Sequence, residues 1–406
     1  MVSKIIDNSV LYQTIPFEWN KETYHAQLWL STSHLPGALY DLLTNNHSIA
    51  THPDYLRIKH RDNQPVFVFS IQQNGNFIGA SSVYYAEVDV NLSGKEITQN
   101  SIAQVLYDFI VHPLFKNKGV LCLGSLFISG EKGSNYNSDL IAEHQWHELL
   151  VAGFGTWNLA TQKHHKCVGW LGLDICNSSA CLSSQNHHIP LQFEPVMNLD
   201  ISKMNSFESY TDLLKAKYRT KLNRAKSKGE SLSIKTINPQ DFNTLKPRIE
   251  QLFNEVKKRS NYYGGKFNVS DLLGLNQRFS NTYTTGFFLD QQLVGFTSSI
   301  VNGTTYLAHM VGTDYALNKS HSIYENMLYF FIEDAIKHSC KQILLGRTAL
   351  QIKSSVGAFP VYHYCCLQFN KCWWQKLGKF VAKRITINQP NFRKAFKDHD
   401  VLQPTL

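Results

Sequence analysis

The chain lacks any run of about 18 consecutive apolar residues, which excludes an obvious membrane-spanning helix. Its first twenty residues mix Lys4, Asp7 and Asn8 among apolar ones and contain no signal-peptide core. None of the eight cysteines, at 122, 167, 176, 181, 340, 365, 366 and 372, falls in a CxxC pair. With no secretory signal, that pattern predicts reduced, mostly buried thiols in a cytoplasmic protein. There is no Gly-x-Ser-x-Gly elbow, no Walker loop and no Rossmann fingerprint. His144, His147 and Glu148 give HxxHE, which is neither of the zinc-protease spacings, and no third ligand is identifiable, so no bound metal or prosthetic group is expected. Acid is in deficit: 31 Asp and Glu against 40 Lys and Arg, a net charge of +9. A basic surface favours phosphates, acidic carrier proteins, nucleic acid or anionic lipid without choosing among them.

What is present is a folded chain long enough for two cores. It has 406 residues, 43% hydrophobic and 17% charged, and no low-complexity linker. Two segments share a pattern. Val66 to Ser82 reads as a strand, an Asn74-Gly75 turn and a second strand; Gly286 to Ser298 reads as a strand, a turn near Asp290-Gln291 and a second strand. Each is later followed by a strand, a long helix and another strand. The first series runs through Val120 to Ile128, a helix from about Asp139 to Thr161, and Lys166 to Ile175. The second runs through Tyr306 to Thr313, a helix from Ile323 to Ser339, and Gln342 to Gly346. That order, met twice, predicts a duplicated mixed α/β unit.

The boundary is expected between Gln192 and Asn205. Beyond it, Phe207, Tyr210, Leu214, Tyr218, Leu222 and Ala225 recur at three- and four-residue steps, predicting one continuous helix that stops at Gly229. Its other face carries Lys215, Lys217, Arg219, Lys221, Arg224, Lys226 and Lys228. This is either a solvated basic face or a docking surface for phosphate, acyl carrier protein or RNA. The tail from Lys371, with Trp373, Trp374, Leu377, Phe380 and Val381, has the spacing of an amphipathic helix. Contact with a membrane surface and packing on the C-terminal domain are its two readings.

Ser322 to Pro360 carries most of the chemical information. Ser322 followed three residues later by Glu325 fits a capping box, and Ile323, Met327, Leu328, Phe331, Ile332, Ala335 and Ile336 form a buried face. The preceding segment, Ala316 to His321, reads as a polar loop carrying Lys319. A helix N-terminus with free amides is a ready anion site, and most such ends bind only water. The neighbouring strand runs into Gly346-Arg347-Thr348-Ala349, followed by Ile352-Lys353-Ser354-Ser355-Val356-Gly357-Ala358.

These residues, together with Tyr210 to Lys228, Ala308-His309-Met310-Val311-Gly312 and Tyr324-Glu325-Asn326-Met327-Leu328-Tyr329, resemble the tandem GNAT acyltransferases. The nearest branch is the Fem-type, FemAB-like group often labelled peptidoglycan-biosynthesis proteins. The resemblance covers roughly residues 194 to 370; in the N-terminal half it rests mainly on Gly124 to Gly133. It implies an α/β, mixed-sheet chain of two tandem GNAT-like domains: 1–193, a degenerate copy that shapes the cleft; 194–370, catalytic; and 371–406, a basic tail. The fold it implies has fourth and fifth strands that splay apart to admit a thioester arm.

The same resemblance implies acyl transfer to an amine, by positioning, deprotonation of the attacking ammonium and stabilisation of the oxyanion. His309, on the fourth strand, is the candidate general base, because imidazole titrates near neutrality; a hydrogen-bonded core histidine is the alternative. Arg347 and Thr348 would hold a substrate anion or the developing oxyanion, and Lys353 an anionic headgroup, against the alternative of a surface lysine. Tyr324 and Asn326, in the first helical turn, would contact substrate or simply pack. Lys319 and Ser322 complete the candidate binding set. Residues 316–322 contain no glycine, unlike the usual GNAT pyrophosphate loop, which counts against close wrapping of CoA. The donor is therefore acyl-CoA or acyl carrier protein, and the acceptor a small-molecule or lipid amine, in the cytoplasm or at the inner face of the membrane. Aminoacyl transfer from charged tRNA to a cell-wall precursor is the runner-up, and a non-catalytic ligand-binding module the third reading.

Overall fold

The structure, a computed structural model, describes residues 14–45, 48–61, 63–87, 118–164, 166–176, 188–259, 267–382 and 391–397. The described residues form two compact units. The first holds those up to Phe193 together with those from Tyr362 to 382. The second holds Glu194 to 259, Phe267 to Val361 and 391–397. Among the described residues no helix is long and apolar enough to cross a membrane.

The first unit begins with β1 (Ile15–Trp19), β2 (Glu22–Trp29), α1 (Gly37–Asn45) and α2 (Pro53–Lys59). It continues with β3 (Val66–Gln73), β4 (Asn76–Glu87), β5 (Gly119–Leu123) and β6 (Ser134–Tyr136). Then come α3 (Glu143–Thr161), β7 (Cys167–Cys176) and β8 (Ile189–Gln192). The β3–β4 turn is the expected one: Asn74 and Gly75 both have positive φ, 50° and 82°, as a two-residue hairpin loop of this twist requires. α3 starts at Glu143, later than the sequence predicts, after residues 137–141 make turn hydrogen bonds of their own. It lays Trp146, Phe154 and Trp157 on the sheet, with the Phe154 ring 4.9 Å from Phe69 and 5.1 Å from Trp170. β5 and β7 run parallel and pair from Gly119 to Leu123.

The second unit opens with β9 (Val196–Asp200), α4 (Phe207–Leu213), α5 (Ala216–Lys228), β10 (Ser233–Thr236), α6 (Pro239–Arg259) and α7 (Ser270–Arg278). Next are β11 (Thr282–Leu289), β12 (Gln292–Asn302), β13 (Thr305–Thr313), α8 (Tyr315–His321) and α9 (Ile323–Lys337). β14 (Gln342–Leu344), α10 (Leu350–Ser354) and β15 (Phe359–Val361) complete it. The sheet order is β10-β11-β12-β13-β14-β9-β15. The β11–β12 turn again has two positive-φ residues, Asp290 at 46° and Gln291 at 68°. β16 (Tyr364–Phe369) then enters the first sheet, antiparallel to both β7 and β8, and is followed by α11 (Cys372–Ala382), which packs on β8 and β16.

Three local expectations are corrected. The stripe from Phe207 to Ala225 is two helices, not one. The break at Leu214-Lys215 is held open because Leu214 bridges Phe396, and the Lys215 N–H donates to the Ala395 carbonyl at 2.9 Å. The polar segment before α9 is the helix α8, started by Asp314, whose carboxylate accepts from the Ala316 and Leu317 amides. The capping box at Ser322 does not form. Ser322 is the left-handed residue (φ 48°) that ends α8 and begins α9, and its side chain caps nothing. Asn318 takes the role, its Oδ1 accepting from the Tyr324 amide at 2.8 Å.

Candidate active site

β13 and β14 are parallel neighbours for only three residues, Thr305 to Leu307 against Gln342 to Leu344. β13 continues to Thr313, but the other chain turns away. The Leu345 amide donates to Met197 O at 2.8 Å and the Met197 amide to Gly346 O at 3.1 Å, so β9 captures this segment. The result is the splay between fourth and fifth strands that the sequence resemblance implies.

One edge of the splay is irregular. Ser298 lies opposite Met310 and Ser299 opposite Ala308, so His309 is the inserted residue of a β-bulge. A bulge bends its strand and re-aims the inserted side chain. The half-buried imidazole sits with Nδ1 3.1 Å from Ser298 Oγ, and its ring meets the Phe267 ring edge-on at 5.7 Å.

On the other edge, the turn after β14 uses Gly346 (φ 76°) and Ala349 (φ 56°) to reverse into α10. Arg347 is 6% exposed, and its Nη1 donates to the Glu194 carbonyl at 2.8 Å. The guanidinium is therefore built into the wall as well as charged. Thr348 is half-buried beside it. Lys353 is 4% exposed, which disposes of the surface-lysine reading. Its ammonium lies under the turn: a Cβ placed on Gly346 would be 3.9 Å from Nζ. Burial pulls the amine down to about 7, opposed by the Glu194 carboxylate. An amine partly neutral near pH 7 can move a proton as well as hold an anion.

The remaining candidates lie at the α8–α9 junction. Tyr324 is half-buried, and burial raises its hydroxyl above the usual tyrosine range. Asn326 Nδ2 donates to the carbonyls of Ala225, His321 and Ser322, tying the end of α5 to the start of α9. The Lys319 carbonyl accepts from Lys228 Nζ at 2.8 Å. Since the Tyr324 amide is taken by Asn318 and Ser322 is a left-handed link, this junction is an organised corner, not an open helix N-terminus. The sequence named Lys353 but carried no sign of its burial, which comes from β9 and the turn folding over α10. It missed Ser298, Phe267 and Glu194, which hold the site from other strands and loops.

No protein-family model matches the chain, and no curated protein matches it in sequence. Solved structures do match in shape. FemX superposes with a TM-score of 0.50 at 9% identity, covering 85% of this chain and 99% of that one. The fold is that of a Fem-type tandem GNAT protein. L-PGS from Bacillus licheniformis gives 0.47 at 11% identity, covering 86% and 96% of the two chains. A tandem GNAT protein from the clavulanic acid biosynthesis pathway gives 0.46 at 11%, covering 85% and 99%. At these identities the likeness to FemX fixes the tandem GNAT architecture and leaves the reaction to be argued from the residues.

Proposed function

We propose that the protein is an N-acyltransferase that moves an acyl group from a thioester, acyl-CoA or acyl carrier protein, to the amine of a lipid-like or anionic acceptor. The observation that carries this reading is the β13–β14 splay, flanked by the His309 bulge on one edge and by buried Arg347 and Lys353 on the other. A thioester carbonyl entering the splay meets polar groups on both sides. His309 takes a proton from the acceptor ammonium; the amine attacks the carbonyl carbon and forms the C–N bond. The tetrahedral oxyanion is stabilised by donors on the splay, Thr348 and Arg347 among them. Collapse breaks the C–S bond; the thiolate leaves with the proton that His309 returns, and the new amide nitrogen gives up its second proton to solvent. Lys353, close to neutrality, serves as the anchor for an acceptor anion when charged.

The test is transfer from labelled donors. Purified protein is incubated with radiolabelled acyl-CoA, acyl carrier protein and charged tRNA, each with long-chain amino bases and amino acids as acceptors. Acyl transfer from a thioester to an amine is the expected result. Transfer only from charged tRNA, abolished by RNase, means the aminoacyl reading instead. Tight ligand binding without transfer from any donor means a binding module.

A further inference from the structure

α11 is pressed onto β8 and β16 by one side and leaves two large rings on the other. On the inner side, Trp374 is buried, its ring 6.2 Å from that of Phe369. Gly378 lies on the same side: a Cβ there would come within 2.6 Å of Ile189 Cδ1 and of the Phe369 ring, so glycine lets the helix sit close without displacing either. Gln375 ties the first turn to the end of β16, its Oε1 accepting from the Phe369 amide at 2.7 Å. With the inner side decided by these contacts, Trp373 and Phe380 face outward, 50% and 52% exposed. Seven residues are about two turns, so the two rings stand on one stripe with their Cα atoms roughly 10 Å apart along the axis. Trp373 also stacks on Trp374, centroids 4.1 Å apart, which holds its indole in place.

The rest of the outer face is basic. Lys376, between the two rings, and Lys371, before the first, are exposed. From Lys371 to Arg384 the sequence holds five cations and no Asp or Glu. Aromatic rings left in water cost free energy that burial recovers, and an apolar stripe fringed by lysine marks a contact surface. Shape and charge identify the partner. The face is convex, with its two anchors two turns apart, and suits a broad, soft surface with apolar depth better than a fitted protein groove. Indole and phenyl rings enter the boundary between lipid headgroups and acyl chains. Lysine stems lie along the same boundary with the ammonium among phosphates. Negative charge on the surface then adds to the gain from apolar burial.

We infer that the outer face of α11 docks on the surface of an anionic lipid bilayer, with Trp373 and Phe380 in the headgroup layer and Lys371 and Lys376 on lipid phosphates. The helix lies along the surface; at 11 residues it is far too short to cross. The contact is tested without turnover, so it stands or falls apart from the transfer assay. The full chain is sedimented with vesicles of phosphatidylcholine alone, and of phosphatidylcholine and phosphatidylglycerol in equal parts. Binding to the mixed vesicles is expected to be at least about tenfold stronger than to the neutral ones, and to weaken as salt rises. The Trp373→Ser, Phe380→Ser double variant is expected to lose about tenfold or more in partitioning. Lys371→Gln with Lys376→Gln is expected to lower binding to the mixed vesicles by about tenfold or more, since each lysine near the surface is worth roughly fivefold. All four positions are exposed, and thermal melting checks that both variants keep the wild-type fold. Hydrogen exchange locates the contact: peptides spanning 371–382 are expected to exchange more slowly on the mixed vesicles. No sedimentation with the mixed vesicles, or equal sedimentation of the Trp373→Ser, Phe380→Ser variant, overturns the inference. So does light scattering that finds the free protein dimeric and that variant monomeric, with no vesicle binding, which would give the face to a second copy of the chain.

Discussion

The two units repeat one plan and differ where their parallel strands meet. In the first, β5 lies along β7 from its first residue to its last, Gly119 to Leu123. In the second, β13 meets β14 for three residues of nine and is then left with an open flank. The residues beyond the parallel strands differ too. Near the end of β7 is buried Asp174, which accepts from the Gly130 amide at 3.2 Å; beyond β14 come buried Arg347 and Lys353. One unit closes its seam with backbone hydrogen bonds and an acid that holds a loop. The other leaves the flank of β13 open and follows its β14 with two buried cations. The acyl-transfer proposal rests on the open seam alone.

The two seams are told apart by disabling one residue in each unit. His309→Gln is expected to lower acyl transfer by about a hundredfold, the lower range for loss of a general base. Asp174→Asn, its counterpart test in the closed unit, is expected to leave turnover within about twofold, because removing one loop hydrogen bond affects stability first. Equal losses in two well-folded variants would erase the distinction. Next in size, Arg347→Ala should cost at least about tenfold in kcat/KM, since a charge-assisted bond is worth roughly 1.5–3 kcal/mol.

Burial of Lys353 also shows in stability. Its amine binds a proton less tightly in the fold, near 7, than at its ordinary value of 10.5. Between those values the unfolded chain carries more protons, so stability rises with pH across that window; below about 7 the burial penalty on the charged form is felt in full. Lys353→Met removes the penalty. The unfolding temperature of the variant should exceed that of the wild type most at about pH 6, with the gain shrinking toward pH 10. A gain independent of pH would mean the amine is not desolvated. The smallest effect is expected at the corner that supports the site: Asn326→Ala should destabilise by roughly 1–3 kcal/mol in denaturant titration, because three carbonyls lose one shared donor.

The range of each interaction decides how much of the fold and the site was legible in sequence. The two hairpins were readable because turn chemistry is local: Asn74-Gly75 and Asp290-Gln291 tolerate positive φ. The buried stripe of α9 was readable from its period, and Ile323, Met327, Leu328, Phe331, Ile332 and Ala335 are buried. The capping of α9 differs because a Ser-x-x-Glu pattern cannot reveal that Ser322 turns left-handed to link α8 to α9, which leaves Asn318, one turn earlier, to accept from the Tyr324 amide. The break in the 207–225 stripe depends on Phe396, some 180 residues away, and the pairing of β16 with β7 joins positions equally remote. The His309 bulge and the burial of Lys353 are likewise properties of neighbouring strands, invisible in a period or a spacing.

The most direct measurement is photolabelling with an acyl thioester that carries a photoreactive group near its carbonyl, with the labelled peptides then mapped. Label is expected on peptides spanning 305–313 and 342–354, and lost when excess unlabelled donor competes. Label that falls instead on 119–123 and 167–176, or that ignores the competitor, would contradict the assignment of the open seam as the acyl site.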